Sequence, residues 1–195
     1  MKLHVIETGN FKLDGGAMFG VVPKSLWNKV YPADANNMCT WSMRCLLVEY
    51  ADRLVLIDAG IGDKQSEKFF SYYYLHGEHS LGKSLRTAGF HRNDITDVFL
   101  THLHFDHCGG ALQWNSSRDR ALPAFPNARY YTHPNHWQWA TQPNAREKAS
   151  FLKENILPLQ ESGQLQFVQS EGDFTADIFP GFKARIANGH TEAQM

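Results

Sequence analysis

The 195-residue chain is predicted to fold as a mixed α/β protein, and three observations carry that prediction. Short apolar, strand-like runs alternate with segments of helical periodicity, the pattern of sheets covered by helices. Apolar residues make up 43% of the chain and aromatics 13%, enough for a buried core and too much for a disordered chain. No internal repeat, low-complexity stretch or linker interrupts the sequence, so residues 1–195 read as a single domain.

Taken in order, "LHVI", "MFGVV", "RCLLVEY" and "RLVLI" are short strands, the last two separated by Ala51 and Asp52 in a hairpin turn. Rich in Gly, Pro and Asn, the stretch from Phe11 to Trp41 reads as a long irregular excursion, and such excursions are often functional. "LVLIDAGIGD" is a buried strand ending at Asp58 in a glycine-rich bend. From Lys64 the pattern turns helical, with Phe69, Phe70, Tyr73 and Tyr74 on an apolar face. "SLGKSLRTAG" is a second helix, capped by Ser80 and stopped by Gly89. "DITDVFLTH" is a strand that runs into "THLHFDHCGG", and "ARYYTH" is another strand. "HPNHWQWATQ" and "NAREKASFLKENIL" read as helices, the second capped by Asn144 with Glu147 three residues on. "QLQFVQ" and "FKARIANGH" close the chain as strands.

Charge and cysteine usage narrow the function classes. A net charge of -1 with no Lys/Arg block argues against nucleic acid or an anionic membrane as partner. Cys39, Cys45 and Cys108 share no metal-knuckle spacing and fit a reducing compartment. The start, "MKLHVIETGNF", places His4 and Glu7 where a signal peptide needs continuous apolar residues, and no run reaches transmembrane length. The expected location is the cytoplasm.

"THLHFDHCGG" concentrates coordinating side chains. On an extended segment residues two apart point the same way, so His102 and His104 can converge on one ion. Asp106 and His107 follow once the chain turns and can face a second position close by. Gly109 and Gly110 lack a Cβ, which lets the following helix start against a crowded site. Neutral imidazole with carboxylate suits zinc above all, and also iron, cobalt or manganese. Two such ions make hydroxide available near neutral pH and polarise the bond under attack. A purely structural zinc site is a poor match, because those are closed and cysteine-rich, and only Cys108 is near.

"HLHFDH" followed by "CGG", on a strand headed by Thr101, resembles the metallo-β-lactamase superfamily signature. "LIDAG" resembles that superfamily's aspartate-glycine turn and "NGHT" its next ligand-bearing strand end. "GGAMFGVVPKSLW" and "HLHFDHCGG" look like the branch of lactonases and organophosphate-ester hydrolases. The resemblance implies an αββα sandwich with metals at the sheet edges, here the N-terminal half and the start of the second. It implies that His102, His104 and His190 bind one metal and Asp106 and His107 the second. It further implies Asp106 as general acid, and Asp58 outside the ligand set, orienting the histidines. The superfamily's pattern continues past the "GHT" strand to a bridging aspartate and a last histidine, whereas Met195 follows His190 by five residues. The expectations drawn from this are an uncovered apolar sheet face, possible homo-oligomerisation, and weak catalysis by these 195 residues alone.

The function expected is hydrolysis of a lactone or small ester. A phosphotriesterase or phosphodiesterase of the same geometry is the alternative within enzymes, and a non-catalytic metal-binding module the alternative outside them. The histidines outside the cluster read differently. His133 and His136 are expected on a polar helix face with Trp137 and Trp139 packing nearby; His4, His76, His79 and His91 have no companions at ligand spacing. Cys108 is read as a small packed residue and Phe105 as packing behind the ligands. Met18, Phe19, Val21, Val22 and Trp27 either line a substrate pocket or belong to the core.

Overall fold

A computed structural model describes all 195 residues. Two long strands, β1 (Lys2–Asp14) and β2 (Met38–Tyr50), pair antiparallel along most of their length. β3 (Arg53–Ile57) returns from β2 through a turn in which Ala51 takes a φ of 52°. Between β1 and β2 lie two short helices, α1 (Gly15–Phe19) and α2 (Lys24–Trp27). "MFGVV" is therefore not a strand. α1 ends at Gly20, whose φ is 57°, and Val21 beyond it is fully exposed with no neighbouring strand to pair with. The excursion is also shorter than expected, because Phe11 pairs with Trp41 and Asp14 with Met38.

Helices α3 (Glu67–Ser71) and α4 (Leu81–Thr87) carry the chain from β3 to β4 (Asp97–Phe99), which lies parallel to β3. The helix at α3 is one turn and not the longer one expected. Phe69, Phe70 and Tyr73 pack inward, while Tyr74 has a φ of 46° and is exposed. Ser80 accepts from the Lys83 amide at the start of α4, and Gly89 has a φ of 89° just past its end, as the sequence indicates.

The one-turn α5 (Phe105–Cys108) and a hairpin of β5 (Leu112–Trp114) and β6 (Ala121–Pro123) follow β4. β7 (Arg129–Thr132), α6 (Pro134–Thr141), α7 (Lys153–Glu161) and β8 (Leu165–Phe167) complete the main sheet, whose order is β1-β2-β3-β4-β7-β8. Its last four strands are parallel. β9 (Ser170–Glu171) and β10 (Phe174–Thr175) form a separate small ribbon.

The helix predicted from Asn144 begins only at Lys153. Asn144 does accept from the Glu147 amide at 2.9 Å, yet residues 145–150 form only turns before Phe151 inserts, its ring centre 4.6 Å from that of His104 and tilted by 53°. "FKARIANGH" makes only single bridges, Phe174 with Arg185, Phe179 with Phe182 and Ala187 with Gln194, because no strand runs beside it.

The main core, including Leu47, Leu56, Val98, Leu100, Tyr130 and Ile156, lies between the sheet and its helices. The opposite face is not bare. Val55, Phe99 and Tyr131 are covered there by Val168, Phe179 and Phe182 from the C-terminal segment, which corrects the expectation of an uncovered face over the sheet's centre. Only the β1 end stays open: Leu3 and Val5, paired with Val48 and Leu46, are 58% and 66% exposed. No helix is long and apolar enough to cross a membrane.

Candidate metal centre

The parallel strands deliver their polar residues to one edge, and crevices of α/β sheets form at such carboxyl ends. Asp58 follows β3 directly, the segment Thr101–His104 follows β4, and His133 follows β7. Asp58 takes a φ of 60°, a left-handed conformation rare for non-glycine residues, and its backbone is held on both sides: its amide donates to Phe99 and that of Ala59 to His107. The histidine-bearing turn can lie this close because it carries Gly109 and Gly110. A Cβ at Gly109 would stand 2.1 Å from the Ile61 carbonyl oxygen, and one at Gly110 2.1 Å from that of Ala59.

Three imidazoles converge. The ring centres of His102, His104 and His190 are 4.7, 4.8 and 5.0 Å apart, and one nitrogen from each falls within 4.8 Å of the others. His104 Nδ1 and His190 Nε2 are separated by 3.1 Å. Two nitrogens on one tetrahedral zinc stand about 3.3 Å apart at ordinary bond lengths. His102 Nε2 is buried without a hydrogen-bond partner, so its lone pair is open to an ion. The donor set and its orphaned nitrogen both fit a divalent cation.

Asp58 sets the orientation of two rings. Its Oδ2 accepts from His107 Nδ1 at 2.7 Å, and its carboxylate accepts from the Thr101 hydroxyl, whose oxygen lies 3.0 Å from His102 Nδ1. Because the carboxylate only accepts, the protons sit on the Nδ1 atoms and Nε2 of each ring is left free. His107 Nε2 faces Asp106 Oδ2 at 3.5 Å, a second pair of donors beside the first cluster. His102 and His107 are 4.0 Å apart between ring centres.

Burial dominates the electrostatics. It pushes His102 far below the ordinary imidazole range and His104 to about 3, with the neighbouring imidazoles adding to it. Burial also pushes His107 down, but the hydrogen bond to Asp58 and the charges of Asp106 and Asp58 outweigh it, so the net shift is upward. Asp106 is raised, mainly by burial and against the pull of His107. A small cavity of about 140 Å³ opens beside Asp58, Asp106 and His107, with Ser42 and Arg44 on its far wall.

The remaining expectations divide. Cys108 is buried with its thiol on the Leu103 carbonyl, and Phe105 packs against Phe69 and Tyr73 behind the histidine cluster. Trp27 is buried and stacks on Phe19, whereas Met18, Val21 and Val22 are exposed. His133 and His136 are not on a polar face: they are 4% and 0% exposed. His133 caps α6 through the Asn135 amide. His136 binds backbone on both sides and is held neutral, burial lowering it to about 4. Sequence reasoning missed Lys64, buried with its ammonium on the Gly109 carbonyl and lowered to about 8 by burial. It also placed Glu147 three residues into a helix capped by Asn144, although the side chain turns inward.

The sequence profile of the Metallo-beta-lactamase superfamily matches residues 44–194, and the chain belongs to that superfamily. Among characterised relatives, N-acyl homoserine lactonases from Bacillus sp. and Bacillus cereus are 24% identical over 200 residues, 97% of this chain. The chain spans 66% of the length of these relatives. A probable metal-dependent hydrolase from Staphylococcus aureus superimposes with a TM-score of 0.83 at 31% identity, over 99% of this chain and 66% of that one. AidC, a dizinc quorum-quenching lactonase solved with the product N-hexanoyl-L-homoserine, shares the fold at a TM-score of 0.66 and 21% identity, over 98% of this chain and 65% of its own.

Proposed function

We propose that the protein is a metal-dependent hydrolase that opens a lactone or cleaves a small ester. The observation that carries the reading is the convergence of His102 Nε2, His104 Nδ1 and His190 Nε2 with a buried lone pair left unused. Zinc suits three neutral imidazoles best, and Asp106 with His107 would supply the donors for a second ion. Such ions supply a Lewis acid for the carbonyl and hydroxide near neutral pH. Asp58 holds His107 and, through Thr101, His102 in the tautomers that present Nε2. Asp106, beside His107 at 3.5 Å, would also be placed to pass a proton to the departing alkoxide. The lactone as substrate is favoured by the relatives' activity; a phosphotriester would meet the same side chains with phosphorus at the centre.

The test is an assay of the purified protein, loaded with zinc or manganese, against N-acyl homoserine lactones, aryl phosphotriesters and β-lactams. Lactone turnover is expected to be fastest. His102→Ala is expected to remove more than about 100-fold of it, since even outer partners of a metal site are worth 10–100-fold, with the circular dichroism unchanged. Undiminished turnover in His102→Ala would sink the mechanism. Bound metal with no turnover of any substrate would leave a metal-binding module.

A further inference from the structure

His190 is 86 residues from His104 and sits on no strand, yet its imidazole reaches the other two. Two buried side chains from the α6–α7 region span the same two stretches of chain. His136, fully buried on α6, donates from Nδ1 to the Glu192 carbonyl at 2.6 Å and accepts at Nε2 from the Leu103 amide at 2.8 Å. Leu103 lies between the ligands His102 and His104, and Glu192 lies two residues past His190. Glu147, 7% exposed, accepts from the Thr191 hydroxyl at 2.7 Å and from Trp139 Nε1 at 3.0 Å on one oxygen. That oxygen stands 3.9 Å from His104 Nε2, a buried nitrogen with no hydrogen-bond partner.

We propose that His136 and Glu147 are positioning residues, a two-point clasp that holds the His190 loop against the His102–His104 loop so that the three imidazoles are gathered in advance. The proposal rests on the metal-centre reading above. His136 cannot itself be a ligand, because both its nitrogens are committed to backbone. What it does is join one ligand loop to the other through a rigid ring. Glu147 joins them a second time, at Thr191 and at His104. When His104 commits Nδ1 to an ion its proton must sit on Nε2, and a closure of about 1 Å gives that N–H a carboxylate acceptor. Ligating histidines characteristically give their other N–H to such a partner. The carboxylate has the capacity, since its two oxygens accept from Trp139, Thr191 and Arg146 and about four lone-pair sites exist.

Zinc affinity by chelator competition, the visible spectrum of the cobalt(II) form and the thermal midpoint of the metal-free protein separate positioning from stability. Glu147→Gln is expected to weaken zinc binding about 10–100-fold and to alter the cobalt spectrum, with the metal-free midpoint nearly unchanged. His136→Phe is expected to lose affinity similarly, and His136→Gln, which keeps one donor and one acceptor, to recover part of it. The clasp is overturned if Glu147→Gln binds zinc as tightly as the unaltered chain with the same spectrum. It is equally overturned if every loss merely follows the unfolded fraction. His102→Ala separates the two ideas. If the unaltered chain binds zinc no more tightly than that variant, the metal-centre reading itself has failed.

Discussion

At the residue scale, the closest constraint on the site is the contact of Gly109 with the bend after β3. A methyl group there would meet the Ile61 carbonyl oxygen at 2.1 Å, and its neighbour is backbone that cannot rotate away. Gly109→Ala should therefore cost at least the upper end of the 1–3 kcal/mol range for overpacking, about 3 kcal/mol. Gly82→Ala is the control. That glycine lies inside α4 with only the mobile end of Arg86 at 3.5 Å, so the substitution should be neutral or stabilising by up to about 1 kcal/mol. Urea unfolding of both variants measures the contrast, and equal midpoints would show that the ligand turn is not pinned by this contact. Lys64 belongs to the same contact, because its buried ammonium takes the Gly109 carbonyl on the other side of the turn.

At the scale of elements, the break between α6 and α7 is what shapes the floor of the site. A continuous helix from Asn144 would carry Phe151 away from His104. Instead the Phe105 amide bonds the Ser150 carbonyl at 3.0 Å, and the Phe151 ring lies against both His104 and His136. Phe151 is 5% exposed, so Phe151→Ala should cost about 3–5 kcal/mol, the range for deleting a buried aromatic ring. Leu157 on α7 is 36% exposed and its replacement by Ala should cost less than about 1 kcal/mol. Comparable losses in the two denaturation curves would mean that the break is not held by Phe151.

At the scale of the whole molecule, the buried histidines make stability depend on pH. His102, His104 and His136 all have folded-state values pushed below 6.5 by burial, so in the window beneath 6.5 the unfolded chain binds more protons than the folded one. Their contribution is present above 6.5 and is lost as pH falls toward about 4 for His136 and about 3 for His104. His107 runs the other way: burial is outweighed by Asp58, its folded value lies above 6.5, and its contribution is lost as pH rises through that value. His133, also lowered by burial, adds to the acid-side loss, while Asp106, raised by burial, runs with His107 and favours the folded chain as pH falls. Glu147 adds to the acid-side loss, because hydrogen bonds from Trp139 and Thr191 overcome burial and hold its carboxyl below 4.5. The metal-free protein should show a lower urea midpoint near pH 5 than near pH 7.5, by up to about 1.4 kcal/mol per proton and pH unit. A flat or rising profile on acidification would contradict the burial of these rings.

Much of the site was legible because its residues are local. His102, His104, Asp106 and His107 lie within six positions, so chain geometry alone aims them at a common region. Asp58 and His190 needed the family resemblance, since nothing within the chain links "IDAG" or "NGHT" to the cluster. The helix drawn from Asn144 and the strand drawn over "MFGVV" failed because periodicity is a local signal. A buried Phe151 and a strand with no neighbour are decided by what packs alongside. His136 illustrates the limit most directly. Three residues after His133 it looks like half of a polar helix face, and only its fully buried place between Leu103 and Glu192 shows its bonds. The sequence by itself determined the alternation of strands and helices and the gathering of His102, His104, Asp106 and His107 on one turn, because both depend on neighbours a few residues apart. The tertiary structure alone decided how His190 reaches that turn and which buried polar groups hold it there, because those contacts join segments whose proximity exists only once the sheet has formed.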